Sequence, residues 1–168
     1  MTRVLLVTGA RSLADDPAAE AWARGILRHA LVGVDLLIVG DDPGPDAWAW
    51  DLATGVVRAK RRYHARGDHA GKVLARCAPD DPFAATWAEW SWAPPGTSTH
   101  PLNRNAAMVL DAAYRPGTPA SVLALLDGRK PRVVQPGEKR PTRGTEHTVG
   151  LARAAGLTVD AQTWGSRG

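Results

Sequence analysis

Residues 36–50 read LLIVGDDPGPDAWAW, and the folding of this stretch decides the reading of the whole chain. Leu36 to Val39 are apolar without alternation, the pattern of a short strand buried on both faces. The run stops at Gly40, and two aspartates, two prolines and a second glycine follow, which is turn chemistry. An alternation of Ala and Trp begins at Asp46, so that DAWAWDLATG reads as a helix capped by Asp46 and stopped by Gly55. A buried strand that turns through glycine into a helix is the repeating unit of an α/β sheet.

The same unit recurs on either side. RVLLVTGA, with the apolar run Val4 to Val7 ending at Thr8-Gly9, predicts a first buried strand. The helix after it, DPAAEAWARGILRHAL, takes Asp16 as N-cap and Pro17 at its first position, with Ala21, Ile26 and Leu27 as its apolar face. VVRAKRRYHARG reads as a third strand carrying basic side chains outward, and DHAGKVLARCAPDDPFAATWAEW mixes helix and loop signals. HPLNRNAAMVLDAAY is a helix by the spacing of Ala106, Val109, Leu110 and Ala113, and SVLALLDG is another buried strand. GRKPRVVQPGEKRP, with three prolines and two glycines in 14 residues, is loop or short hairpin. A helix from near Thr145 to Gly156 and a last strand, LTVDAQTW, complete the series. The order implies a single α/β domain over 1–168: a Rossmann-like, doubly wound, mostly parallel sheet of about five strands with helices on both faces, and inserts near 56–85 and 128–141.

Bulk properties narrow the class. A chain of 168 residues buries a core without cross-links, and its one cysteine, Cys77, excludes an internal disulfide framework. No apolar run approaches the ~20 residues that span a bilayer, so a cytoplasmic protein without a membrane partner is the expectation. The net charge of +4 is unevenly spread. Residues 56–72 carry six basic side chains and one acidic, and residues 129–143 again six and one, on a mildly acidic body. These are two solvated loops or, on one face, a phosphate-attracting surface for a nucleotide or a nucleic acid backbone.

In such sheets ligands bind at the carboxyl ends of the strands. Three loops stand there: TGARSL, GDDPGPD and RPTRGTE. In each a glycine precedes a helix, so that backbone N–H groups can approach an anion. The middle loop differs, because Asp41, Asp42 and Asp46 repel phosphate and suit ribose hydroxyls or a metal. No Walker loop, GxGxxG fingerprint or GxSxG elbow is present, and the spacing of His64, His69 and Cys77 matches no standard zinc site. The reading therefore holds no metal and no cofactor. Trp48, Trp50, Trp87, Trp90 and Trp92 are candidates for base stacking or for the core.

Together, RVLLVTGARSL, IVGDDPGPDAWAWDLA, WAPPGTSTHPLNRNAAMV and RGTEHTVGLARAAGL resemble, in that order, the YspA-like (cpYpsA-related) branch of the SLOG superfamily, which groups DprA/Smf DNA-binding proteins with Lonely-guy (LOG) phosphoribohydrolases. The resemblance implies a Rossmann-like fold that binds or senses a nucleotide or nucleotide-derived ligand. By position it implies Gly9, Arg11, Gly40, Gly44, Asp46, Arg104, Asn105, Gly144 and Thr145 as ligand-binding residues, with the Arg104 guanidinium gripping phosphate. Its alternatives are a nucleoside 5′-monophosphate phosphoribohydrolase, with Glu146 and Asp46 acting on the ribose, and a single-stranded nucleic acid binder using segments 56–72 and 129–143. A homodimer is a further expectation from related folds. The chain departs from the family where RPTRGTE stands for G-G-x-G-T: Pro141 and Thr142 replace two glycines of the phosphate nest, and Glu146 follows Thr145 directly.

Overall fold

The computed structural model describes residues 2–64, 72–77, 89–91, 101–115, 117–129 and 144–165. Seven strands form one sheet: β1 (Val4–Gly9), β2 (Leu36–Val39), β3 (Ala59–His64), β4 (Lys72–Cys77), β5 (Glu89–Ser91), β6 (Ala120–Asp127) and β7 (Thr158–Trp164), in the order β5-β4-β3-β2-β1-β6-β7. The five strands β3-β2-β1-β6-β7 are parallel, as the strand-helix repeat requires. β4 and β5 extend the β3 edge antiparallel, inside the segment whose sequence signals are mixed. The described helices are α1 (Pro17–Ala30), α2 (Pro45–Ala53), α3 (Pro101–Ala113) and α4 (Gly144–Ala154). Among the described residues no helix is long and apolar enough to cross a membrane.

The continuous apolar runs are explained by two cores. Leu5, Val7, Leu37 and Val39 point to one face, where they meet Ala19, Ala23 and Leu27 of α1 and Trp48, Ala49 and Ala53 of α2. Val4, Leu6, Leu36 and Ile38 point to the other and pack against Ala107, Met108 and Ala112 of α3 and Ala152 of α4. Alternate residues of one strand thus serve opposite layers, and none is left to be polar.

Several local expectations need correction. On α1 Ala21 is exposed; the buried row is Ala19, Ala23 and Leu27, one turn apart, with Ile26 at its margin. On α3 the buried side is turned from that of Ala106, Val109, Leu110 and Ala113: Val109 stays buried, but Arg104, Asn105, Ala107, Met108, Asp111 and Ala112 join it. β3 does not carry all its basic side chains outward. Arg61 is fully buried, and its Nη1 donates to both Asp111 oxygens at 3.2 Å, while the Tyr63 hydroxyl donates to Asp111 at 2.8 Å. Burial and the Asp111 charge raise the Tyr63 pKa, so the phenol keeps the proton that it donates. Lys60 and Arg62 take the opposite face, both stacked on the Trp50 ring at 4.2 and 4.3 Å. Of the expected insert at 128–141 and the basic segment 129–143 only Gly128 and Arg129 are among the described residues, and His69, Trp87 and Trp92 lie outside them.

Gly9 ends β1 where α2 begins. A Cβ built there would stand 2.2 Å from Pro45 Cγ, so strand and helix meet at this distance only because residue 9 has no side chain. Gly9→Ala is expected to destabilise the protein by about 1–3 kcal/mol through overpacking. Gly25, mid-α1 with nothing within 4 Å of a built Cβ, serves as its counterpart: Gly25→Ala is expected to stabilise by about 0.5–1 kcal/mol. Urea unfolding of both variants checks the pair; effects of the same sign and size would contradict this packing.

Candidate functional site

The parallel sheet sets its carboxyl ends beside the N-termini of α1 to α4, and nearly all the sequence-nominated residues lie at this end. β2 stops at Gly40, and the chain turns through Asp41 and Asp42 to Gly44, which takes φ +90° as N-cap of α2. Asp46 is not the cap. Pro45 starts the helix, and the Asp46 side chain turns inward to accept a 3.0 Å hydrogen bond from the Gly40 N–H. This closes the loop on itself, with Asp46 only 3% exposed.

Arg104 reaches the same point from the first turn of α3. Its Nη1 donates to Asp41 and its Nη2 to Asp42 at 2.8 Å, and its Nε shares the Asn105 side-chain oxygen at 3.3 Å. Asn105 in turn donates from Nδ2 to the Gly144 carbonyl at 3.1 Å, tying α3 to the start of α4. Arg11, from the loop after β1, donates to the other oxygen of Asp42 at 2.9 Å. A Cβ at Gly40 would stand 2.6 Å from an Asp46 oxygen and 3.1 Å from the Arg104 guanidinium carbon, which accounts for glycine here. Arg104, expected to grip phosphate, is held by Asp41, Asp42 and Asn105. Each Asp42 oxygen receives one arginine, Oδ1 from Arg11 and Oδ2 from Arg104.

The structure brings together Gly40, Asp46, Arg104, Asn105 and Gly144 directly, and joins Arg11 through Asp42. Gly44 approaches the loop after β1, with a built Cβ 3.6 Å from the Ala10 and Arg11 carbonyl oxygens. Gly9 serves the β1–α2 packing. Thr145 follows Gly144 in the first turn of α4, partly buried, and Glu146 takes the exposed side of that turn. Trp48 is core, and Trp50 is the ring beneath Lys60 and Arg62. Arg143, Pro141 and Thr142 lie outside the described residues. Among the described residues no group of three His, Cys, Asp or Glu side chains is arranged to hold a metal ion.

The sequence reading missed a second network at the switch point, where the strand order reverses between β1 and β6. Ser12 Oγ donates to Asp127 at 2.7 Å, and Arg129 bridges Asp127 to Asp16. Asp16 also caps α1, accepting from the Ala18 N–H at 2.9 Å, and receives the Trp164 indole N–H at 3.2 Å. The Arg129 guanidinium holds the Asp127 carboxyl down at about 2. A carboxylate closing an otherwise apolar strand, as in SVLALLDGR, was the available signal. These contacts bridge the β1–β6 crevice.

The electrostatics of the β2 side are mixed. Burial works to raise the Asp42 carboxyl, but Arg104 and Arg11 outweigh it and hold it below the ordinary range. Asp46 goes the other way. Burial pushes it up to about 7 against the pull of Arg104, with Asp42 and Asp41 reinforcing the rise, and its Oδ1 has no hydrogen-bond partner.

The folded state therefore binds the Asp46 proton more tightly than the unfolded chain, whose value is near 3.8. The stability from this proton is fully present below that value and is lost as pH rises through about 7. The wild-type melting temperature is expected to fall between about pH 5.5 and pH 7.5, with a visibly shallower fall in Asp46→Asn, which keeps the shape without the titration. Identical slopes would contradict the assignment.

Comparison of the chain with protein-family models, with curated proteins and with solved structures found no match. The function is therefore argued from the site.

Proposed function

We propose that the protein binds or senses a nucleotide or nucleotide-derived ligand over the carboxyl ends of β1 and β2, chiefly through the ligand's hydroxyl groups. The observation that carries this reading is the neighbouring pair Asp41 and Asp42, with 18% and 25% of their side-chain surface exposed, both held by an Arg104 that is 5% exposed. An ionised carboxylate has about four lone-pair directions, so one oriented by a guanidinium still accepts a hydroxyl proton. Two such groups side by side match the two donors of a ribose diol. Charge supports the same choice. Among the described residues Arg104 and Arg11 balance Asp41 and Asp42, and any ionised Asp46 tips this cluster negative, which favours hydroxyl donors over phosphate there. Phosphate would instead meet backbone N–H groups at the starts of α2 and α4. The resemblance of the ordered sequence motifs to the SLOG superfamily favours a nucleotide over a simple sugar.

A second reading, the Lonely-guy type of phosphoribohydrolase, draws on Asp46, whose buried carboxyl near 7 has the proton affinity of a general acid–base group. Release of free base from AMP, abolished in folded Asp46→Asn, is the result that would favour it over binding alone.

In a thermal-shift series, ribonucleosides or ribonucleotides are expected to raise the melting temperature by mass action, and inorganic phosphate alone is not. The 2′-deoxy counterpart of the best ligand is expected to bind about tenfold more weakly or worse, because a hydrogen bond to a charged acceptor contributes about 1.5–3 kcal/mol. Asp42→Asn, whose amide nitrogen can accept neither from an arginine nor from a hydroxyl, should remove most of this discrimination, with the circular dichroism of the free variant showing that it still folds. Equal affinity for ribo and deoxy forms, or no shift with any ribonucleotide, would overturn the reading.

A further inference from the structure

We propose that the outer edge of β7 pairs with β7 of a second copy of this chain, antiparallel about Ala161, so that the two sheets become one. β7 is the last strand in the sheet order, and among the described residues β6 is its one strand neighbour. Strand edges that stay single are normally guarded by charged side chains, lysine above all, by a proline, a bulge or shortness, and the one charge on β7, Asp160, is already met by the Gln162 amide. β7, TVDAQTW, has seven residues with no lysine and no proline, and it pairs with β6 without interruption from Ser121–Thr158 to Asp127–Trp164. Thr158, Asp160, Ala161 and Thr163 expose their side chains. On the α1 side a groove of about 730 Å³, lined in part by Leu5, Ile26, Leu123, Asp160 and Gln162, opens beside the strand.

The choice of a second copy rests on hydrogen-bond phase and charge. The Trp164 carbonyl accepts from the Gly128 N–H at 2.8 Å, so the backbone groups of residue 164 face β6. In parallel pairing alternate residues serve opposite neighbours. Thr158, Asp160 and Gln162 therefore also face β6, and Val159, Ala161 and Thr163 direct N–H and C=O outward. An antiparallel partner must oppose outward residue to outward residue, and a two-fold axis at Ala161 does so: Ala161 meets itself, and Val159 meets Thr163 of the second copy. The same register sets Asp160 against Gln162 of the second copy. Within one chain Gln162 Nε2 already donates to Asp160 at 2.7 Å, so amide and carboxylate alternate along a ladder across the junction. No like charges oppose each other, and the smallest side chain of the strand sits on the axis. This surface is independent of the proposed ligand site.

The test is the mass of the full chain by light scattering and sedimentation over a concentration series. The wild type is expected to approach twice 17.9 kDa. Ala161→Lys, which sets two ammonium groups face to face, is expected to return the monomer with unchanged circular dichroism and a melting temperature that no longer depends on protein concentration. In a Cys77→Ser background, Ala161→Cys is expected to form a covalent dimer on mild oxidation, since opposed residues in such a pair stand about 5.5 Å apart. A wild-type monomer at every concentration, or a dimer that Ala161→Lys leaves intact, overturns the proposal. If Ala161→Lys does not fold, the cysteine variant decides, and absence of the linked dimer overturns it.

Discussion

The carboxyl end of this sheet depends on one buried guanidinium. Arg104 comes from α3, and the carboxylates that hold it, Asp41 and Asp42, come from the turn after β2, with Asp42 also held by Arg11 from the loop after β1. Taking such a charge from water costs several kcal/mol unless its nitrogens are met, and breaking a buried pair from one side costs about 3–5 kcal/mol. The ion pairs therefore fix the relative positions of the two loops and of α3. Burial opposes the Arg104 charge, but Asp42, Asp46 and Asp41 raise its pKa, so the anchor stays charged. Gly40 is the steric counterpart, because any side chain there would occupy the space of Asp46 and Arg104.

Much of this fold was legible in the sequence because its buried strands are short and uninterrupted. VLLV, LLIV and VLALL have no polar partner residues, and their shortness and flanking glycines make them strands of a sheet covered on both faces. The cap at Asp16 and the stop at Gly156 were legible for a similar reason, since each depends on neighbours within a few residues. Long-range pairing was not. Nothing local in AKRRYH says that Arg61 is taken into the core by Asp111, 50 residues later, while Lys60 and Arg62 stack on Trp50. Nothing local in GDDPGPD says that Asp46 turns back to Gly40 instead of capping its own helix.

The candidate site follows the same division. Its residue types and its end of the sheet were readable, because glycines and aspartates cluster where strands give way to helices. The role of each residue was not, because Arg104 is an electrostatic anchor as soon as Asp41 and Asp42 reach it. The Ser12–Asp127–Arg129–Asp16 network adds a constraint that the motifs do not contain. It ties the end of β6 to the start of α1 across the β1–β6 crevice.

The most direct test of this account is an amide NMR titration of the isotopically labelled chain with a ribonucleotide. The account predicts shifts concentrated at residues 9–12, 40–46 and 144–148 and at the Arg104 side chain, with residues 32–36 and 118–121 at the opposite end of the sheet unmoved. Shifts confined to that opposite end, or to the α1–β7 groove, would contradict it.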